Sequence, residues 1–178
     1  MDWRWSRLGR IAGAAALALA APLLGGATGR LTNLDERLLA AQNRERAALG
    51  LASLAWDPAL AGDAARWAAA LAKSGEIEHE EEAGDADTAE GENLWQGTKG
   101  AYAPEAMVGL WLAERKDFRT GPIPSVSRTG RFEDVGHYTQ IVWRQTDRVG
   151  CALAEGERDE MLVCRYRTAG NVEGERPF

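Results

Sequence analysis

The apolar positions of this chain change their period from one stretch to the next, and the changes divide it. Arg4, Arg7 and Arg10 precede an apolar run over 11–24, which ends in the small residues Gly25-Gly26-Ala27. Basic, apolar and small residues in that order describe a secretory leader. The run has 14 residues, whereas crossing a bilayer core takes about 20, so a removable leader over 1–27 is expected, with no permanent membrane span. The mature domain would then be 28–178.

Asn33-Leu34-Asp35-Glu36 has the form of a capping box, which predicts a helix over about 34–49 that Gly50 stops in a left-handed conformation. Asp57-Pro58 reads as an N-cap followed by proline at the first helical position. The helix it opens should run to Gly75, with Leu60, Ala64, Trp67 and Leu71 on one buried stripe. The segment 76–90 is acidic and aperiodic, hence an exposed loop, and His79 is its one oddity. A third helix is expected from Pro104 to about Lys116, with Met107, Leu110 and Trp111 facing inward and Glu114 on the same stripe. A loop with Gly121, Pro122, Pro124 and Gly130 follows, then a short helical piece over 137–143. The alternating, branched stretches 148–154 and 160–166 read as two strands joined around Gly156.

Length and charge narrow this picture. A chain of 178 residues suits one domain, and helices followed by a hairpin suggest an α+β fold, a three-layer α-β-α sandwich on a mainly antiparallel sheet. The formal charge is −6, and loss of 1–27, with three Arg against Asp2, would make it −8. So acidic a domain argues against nucleic acid as a general partner.

Cys151 and Cys164 are the only cysteines. A hairpin symmetric about 157 and 158 sets them opposite each other, and in an exported chain that pairing predicts one cross-strand disulfide. No Ser lies in a Gly-x-Ser-x-Gly elbow, and both cysteines lie in strands, so nucleophilic hydrolysis finds no support. His79-Glu80 does not open a His-Glu-x-x-His motif, since Ala83 stands where the second His would be. Glu114 on an apolar stripe requires a cation, a metal or a donor to face it.

Gly136-His137-Tyr138-Thr139-Gln140-Ile141-Val142-Trp143-Arg144-Gln145-Thr146, followed by Val149-Gly150-Cys151-Ala152, resembles the main signature of the CAP superfamily. Gly91-Glu92-Asn93-Leu94, the Trp111-to-Glu114 step, Cys164-Arg165-Tyr166 and Gly170-Asn171 agree in order and spacing, as do Asn43, Arg46 and Leu54-Ala55-Trp56-Asp57. The resemblance covers nearly all of 34–178. Gln42 departs from it, standing where the family often has His, and Thr168-Ala169 replaces the usual prolines; the first change is expected to remove a surface contact. The resemblance implies an extracytoplasmic protein, secreted or periplasmic, with His79, Glu92, Glu114 and His137 in a central cleft.

Two imidazoles among carboxylates suit a divalent metal such as Zn²⁺, with His79 and His137 as ligands. A hydrogen-bonded network with no ion explains the same residues. The role implied is a binding module for an ion, a lipid-like ligand or an extracellular protein, with no catalytic residue assigned. A metal-dependent hydrolase or peptidase stays open, and so does a glycosidase using Glu92 and Glu114. Tyr138 and Trp143 are expected to pack beneath the cleft, and Phe118, Ile123, Val126 and Phe132 are the apolar side chains available for a lipid groove in 118–135.

Overall fold

The computed structural model describes residues 29–80 and 90–178; the expected leader and the central part of the acidic loop lie outside the described residues. Helix α1 spans Leu34–Ala48, strand β1 Ala55–Trp56 and helix α2 Pro58–Ser74. Strand β2 is Gly91–Thr98 and helix α3 Pro104–Ala113, which tightens into a 3-10 turn over Glu114–Lys116. The short helix α4 is Gly136–Ile141, and the chain closes with β3 at Arg148–Glu155 and β4 at Asp159–Arg167. Among the described residues no helix is long and apolar enough to cross a membrane.

Local chemistry explains both ends of α2. Asp57 caps α2 by accepting from the amides of Ala59 at 2.8 Å and Leu60 at 3.4 Å, Pro58 opens it, and Gly75 closes it at a φ of 77°. The capping box expected at Asn33 does not form. Asn33 sits at a φ of 52° with no side-chain cap, a left-handed turn that Asn tolerates better than most residues and that aims its side chain away from the first amides.

The sheet has the order β1-β3-β4-β2. β3 pairs antiparallel with β4 and β4 with β2, while the short β1 runs parallel to β3, so the sheet is mixed with an antiparallel majority. Helix α2 covers one face through Ala64, Ala68 and Leu71, against Leu94, Met161 and Val163. The other face packs under α1, α3 and α4 through a larger cluster that includes Leu38, Trp111, Tyr138 and Leu162. This is the expected α-β-α sandwich. Gly150 is fixed by the α2 contact, because a Cβ there would stand 2.2 Å from the Ala61 nitrogen and 2.6 Å from the Asp57 carbonyl oxygen.

Several inward-facing assignments change. Trp67 is half-buried at the edge of the α2 cluster, and Ala68 takes its place on the stripe; the indole instead donates to the Glu78 carbonyl at 3.2 Å. Leu110 is 52% exposed and Val108 is buried, since α3 packs on both α1 and the sheet and its buried arc is rotated from the expected one. Ile123 and Val126 join Val135 and Trp143 in a separate small core, which removes them from a lipid groove. Gln42 is fully buried, accepting from the Tyr166 hydroxyl at 2.9 Å, so the departure from the family pattern concerns the core, not the surface.

Arg46 is the largest buried charge. Its guanidinium donates to the carbonyls of Ala52 at 2.8 Å, Ile141 at 2.9 Å, Trp143 at 2.8 Å and Thr146 at 2.9 Å. Those acceptors include the carbonyls at the end of α4, where a cation complements the helix dipole.

Cys151 and Cys164 are cross-strand partners with Cα atoms 4.1 Å apart and form the disulfide. Replacing both with Ala is expected to reduce unfolding free energy by about 3 kcal/mol in the chain-entropy account of a loop this size. Urea titrations of both proteins measure this, and equal midpoints would refute it. Arg37 forms two 2.7 Å contacts with Glu105, joining α1 to α3. The hydrogen bond from Arg37 holds the Glu105 carboxyl at about 2, below its ordinary 4.5. A depressed folded pKa contributes stability above pH 4.5 that is lost as pH falls through 2. Glu105→Gln should therefore melt below wild type at pH 6, with the gap closing below about pH 4.5; a gap constant across that window would disprove the linkage.

Candidate functional site

The four residues singled out in the sequence come together two by two. His137 lies in the first turn of α4, where its Nδ1 is 2.6 Å from Glu114 Oε1. The second carboxylate oxygen, Glu114 Oε2, accepts from the Tyr138 amide at 3.0 Å. The turn after α3 thus presents Glu114 to the first turn of α4, where free amides favour an anion. Trp111, one turn before Glu114, stacks on the imidazole with centroids 5.9 Å apart and planes 15° from parallel. The ring is fixed at one edge by a carboxylate and on one face by an indole.

Behind His137 the anchoring continues into the core. Asn93 Nδ2 donates to the His137 carbonyl at 3.1 Å and to the Tyr166 hydroxyl at 3.3 Å, and Tyr166 passes the contact on to Gln42. Tyr138, expected beneath the site, is buried and donates to Glu45 Oε1 at 3.0 Å. Burial pushes its phenol, and that of Tyr166, well above the ordinary range. Both hydroxyls therefore act as neutral donors. Trp143 is buried in the separate small core, so Trp111 takes the place next to the ring that had been expected for it.

The other pair is differently placed. His79 Nδ1 is 2.6 Å from Glu92 Oε1, with the His79 side chain 68% exposed and that of Glu92 only 7%. Glu92 Oε1 also accepts from the Glu80 amide at 3.3 Å. Glu92 Oε2 stands 3.0 Å from Arg165 Nη2, an ion-pair contact without hydrogen-bond alignment. The hydrogen bond to Glu92 holds the His79 imidazole above its ordinary value of 6.5, opposed by desolvation and by the charge of Arg165.

Glu92 and Asn93 are neighbours on β2, and strand alternation sends their side chains to opposite faces. Glu92 meets Arg165 on the side of α2, whereas Asn93 meets Tyr166 and His137 on the side of α4. The two imidazole–carboxylate pairs consequently flank β2, which is an edge strand. Among the described residues no contact joins the pairs, and no three His, Cys, Asp or Glu side chains form a metal-holding group. Neither Nε2 has a partner among the described residues. In each ring the carboxylate engages Nδ1. An open depression beside Glu114 is lined by Leu110, Asp117, Glu133 and Asp134.

Arg165, Asn93 and Glu80 carry this geometry although no site role was read for them in the sequence. The available signal was the opposite-charge cross-strand pair Glu92–Arg165, which becomes visible only when 91–98 is recognised as a strand. Its glycines and polar residues conceal it.

The family model described as the cysteine-rich secretory protein family matches residues 39–166. Pathogenesis-related leaf protein 4 of Solanum lycopersicum is 34% identical, over 82% of this chain and 84% of the relative. Pathogenesis-related protein PR-1 of Medicago truncatula is 32% identical, over 82% of this chain and 80% of its own length. Among solved structures, NaASP2 with Zn²⁺ superposes with a TM-score of 0.67 at 21% identity, covering 86% of this chain and 87% of that one. BmVAL-1 superposes at 0.64 with 20% identity, covering 82% and 81%. At such identities the structures speak for the fold alone.

Glu114→Ala should leave the Tyr138 amide and His137 Nδ1 without an acceptor and destabilise the protein by about 1–3 kcal/mol. Glu114→Gln, which keeps an acceptor, should cost less. Urea unfolding compares the variants with wild type, and a Glu114→Ala midpoint equal to wild type would show that the carboxylate does not hold α4.

Proposed function

The chain belongs to the cysteine-rich secretory protein family, and from that premise we propose that it is an exported binding module whose cleft presents the Nε2 atoms of His79 and His137 to a divalent metal ion such as Zn²⁺. The leader over 1–27 would carry the domain 28–178 out of the cytoplasm. The observation that carries the proposal is the 2.6 Å contact of each imidazole Nδ1 with a carboxylate. A carboxylate at Nδ1 selects the tautomer whose Nε2 lone pair faces outward, and it raises the basicity of that ligand. The donor set therefore fits a borderline metal. A bound ion would supply Lewis-acid character and an open coordination position for a further ligand.

Binding is favoured over hydrolysis by the way the carboxylates are used. Glu92 is taken up by His79, the Glu80 amide and Arg165, and Glu114 by His137 and the Tyr138 amide. Neither is free as the acid and base that bond cleavage requires. Their role is to orient rings. His79 and His137 would be the residues that hold such an ion. The Zn²⁺ in the NaASP2 structure accords with this reading.

Zn²⁺ at a hundredfold excess over its dissociation constant should stabilise the protein by about 2.7 kcal/mol, raising the melting temperature by about 5–10 °C for a chain of this size. His79→Ala and His137→Ala should each lose most of that gain. The measurement is a thermal melt of the three proteins with Zn²⁺ and with EDTA. A wild-type melt indifferent to Zn²⁺ would overturn the metal reading, and the four residues would then be a structural network.

A further inference from the structure

Resting on the reading of His79 as a ligand-facing group, we infer that Arg165 is a positioning residue that holds His79 at the site through Glu92 and Glu80. His79 lies in 75–80, a stretch with neither helix nor strand. Such a segment presents a side chain reproducibly only where it is tethered. Among the described residues its tethers are few: the Gly75 amide donates to the Leu71 carbonyl at 2.8 Å, the Trp67 indole donates to the Glu78 carbonyl, the Ser74 hydroxyl bonds the Glu76 backbone, and the others pass through Glu80, Glu92 and Arg165.

Arg165 stands opposite Glu92 in the β2–β4 register, and its side chain is 5% exposed. The same nitrogen, Nη2, approaches Glu92 Oε2 and makes a close ion pair with Glu80 Oε2. One guanidinium therefore binds a strand carboxylate to a loop carboxylate. Glu92 Oε1 is left to accept from the Glu80 amide and to hold the His79 ring. Without the guanidinium, Glu80 and Glu92 would face each other as like charges, and among the described residues the other basic groups near them sit on exposed side chains: His79 at Glu92 and Arg66, 4.0 Å from Glu80 Oε1.

Stability alone does not account for an arginine here. Its neighbours on this face of β4, Met161 and Val163, belong to the apolar cluster under α2. Arg165 Nε is buried with no partner among the described residues, a cost that an apolar residue of similar size would avoid. What the guanidinium adds is the junction of β2 to the His79 segment. It also occupies Glu92 Oε2, so that Glu92 orients the ring and is not itself available as a metal ligand.

The test compares wild type with Arg165→Met, Arg165→Lys and Glu80→Gln by amide hydrogen exchange and by carbethoxylation of the two histidines, all without metal. Arg165→Met should speed exchange at residues 78–80 at least tenfold and raise the ratio of His79 to His137 modification severalfold, with the rest of β2 and β4 unchanged. Arg165→Lys should restore part of the protection. Glu80→Gln, at a partly exposed position, should reproduce a smaller form of the effect, and it decides the matter if Arg165→Met does not fold. Unchanged exchange at 78–80 in a folded Arg165→Met, or in Glu80→Gln where the former does not fold, would overturn the inference. So would an increase spread evenly through the sheet. Absence of Zn²⁺ binding by wild type would remove the metal reading and leave these exchange results to decide the role of Arg165.

Discussion

Strand β4 is buried on both faces, and its two-residue alternation sends Leu162, Cys164 and Tyr166 toward α1 and α3 while Met161, Val163 and Arg165 face α2. Each half of the site hangs from one of these rows. Tyr166 receives Asn93, which holds the His137 carbonyl; Arg165 receives Glu92, which holds the His79 ring. A slip of one residue in the β2–β4 register would exchange the rows, setting a guanidinium into the α1–α3 core and a phenol under α2. The disulfide at Cys151 and Cys164 secures the neighbouring register against such a slip, closing the hairpin beside it.

The two halves differ in rigidity for reasons visible in their surroundings. His137 sits on a helix whose carbonyl end is bound by Arg46, whose first turn is bound by Glu114, and whose ring lies on Trp111. His79 sits on a loop with its ring exposed, and its position depends on the buried carboxylate of Glu92 and, through it, on the buried guanidinium of Arg165.

Buried charge is used sparingly and in the same manner throughout. Arg46 is neutralised by carbonyl dipoles, Glu160, fully buried, by a bidentate contact with Arg30 at 2.7 and 2.9 Å, and Glu92 by Arg165. Each of these charges makes contacts that join segments far apart in the chain. Such charges add little net stability over apolar substitutes but penalise alternative packings strongly, because a broken partner leaves an uncompensated ion.

Some of this was legible in the sequence because the physics acting there is local. The Asp57-Pro58 start and Gly75 stop of α2 depend on a few adjacent residues, and the hairpin symmetry that opposes Cys151 to Cys164 follows from strand period and loop position alone. The resemblance to the family supplied the four site residues. The strand Gly91–Thr98 was not legible, since its backbone is held by pairing with β4 and its own residues favour a strand weakly. The Asn33 cap does not form because Asn33 takes a left-handed turn, and Leu110 and Trp67 lose their inward positions to Val108 and Ala68, because the angle at which each helix docks, not its sequence period, sets the buried arc. The pairing of imidazole with carboxylate, the stacking of Trp111 and the bridge made by Arg165 join residues 13 to 85 positions apart. Local sequence carries no record of such distances, and only the tertiary structure could decide them.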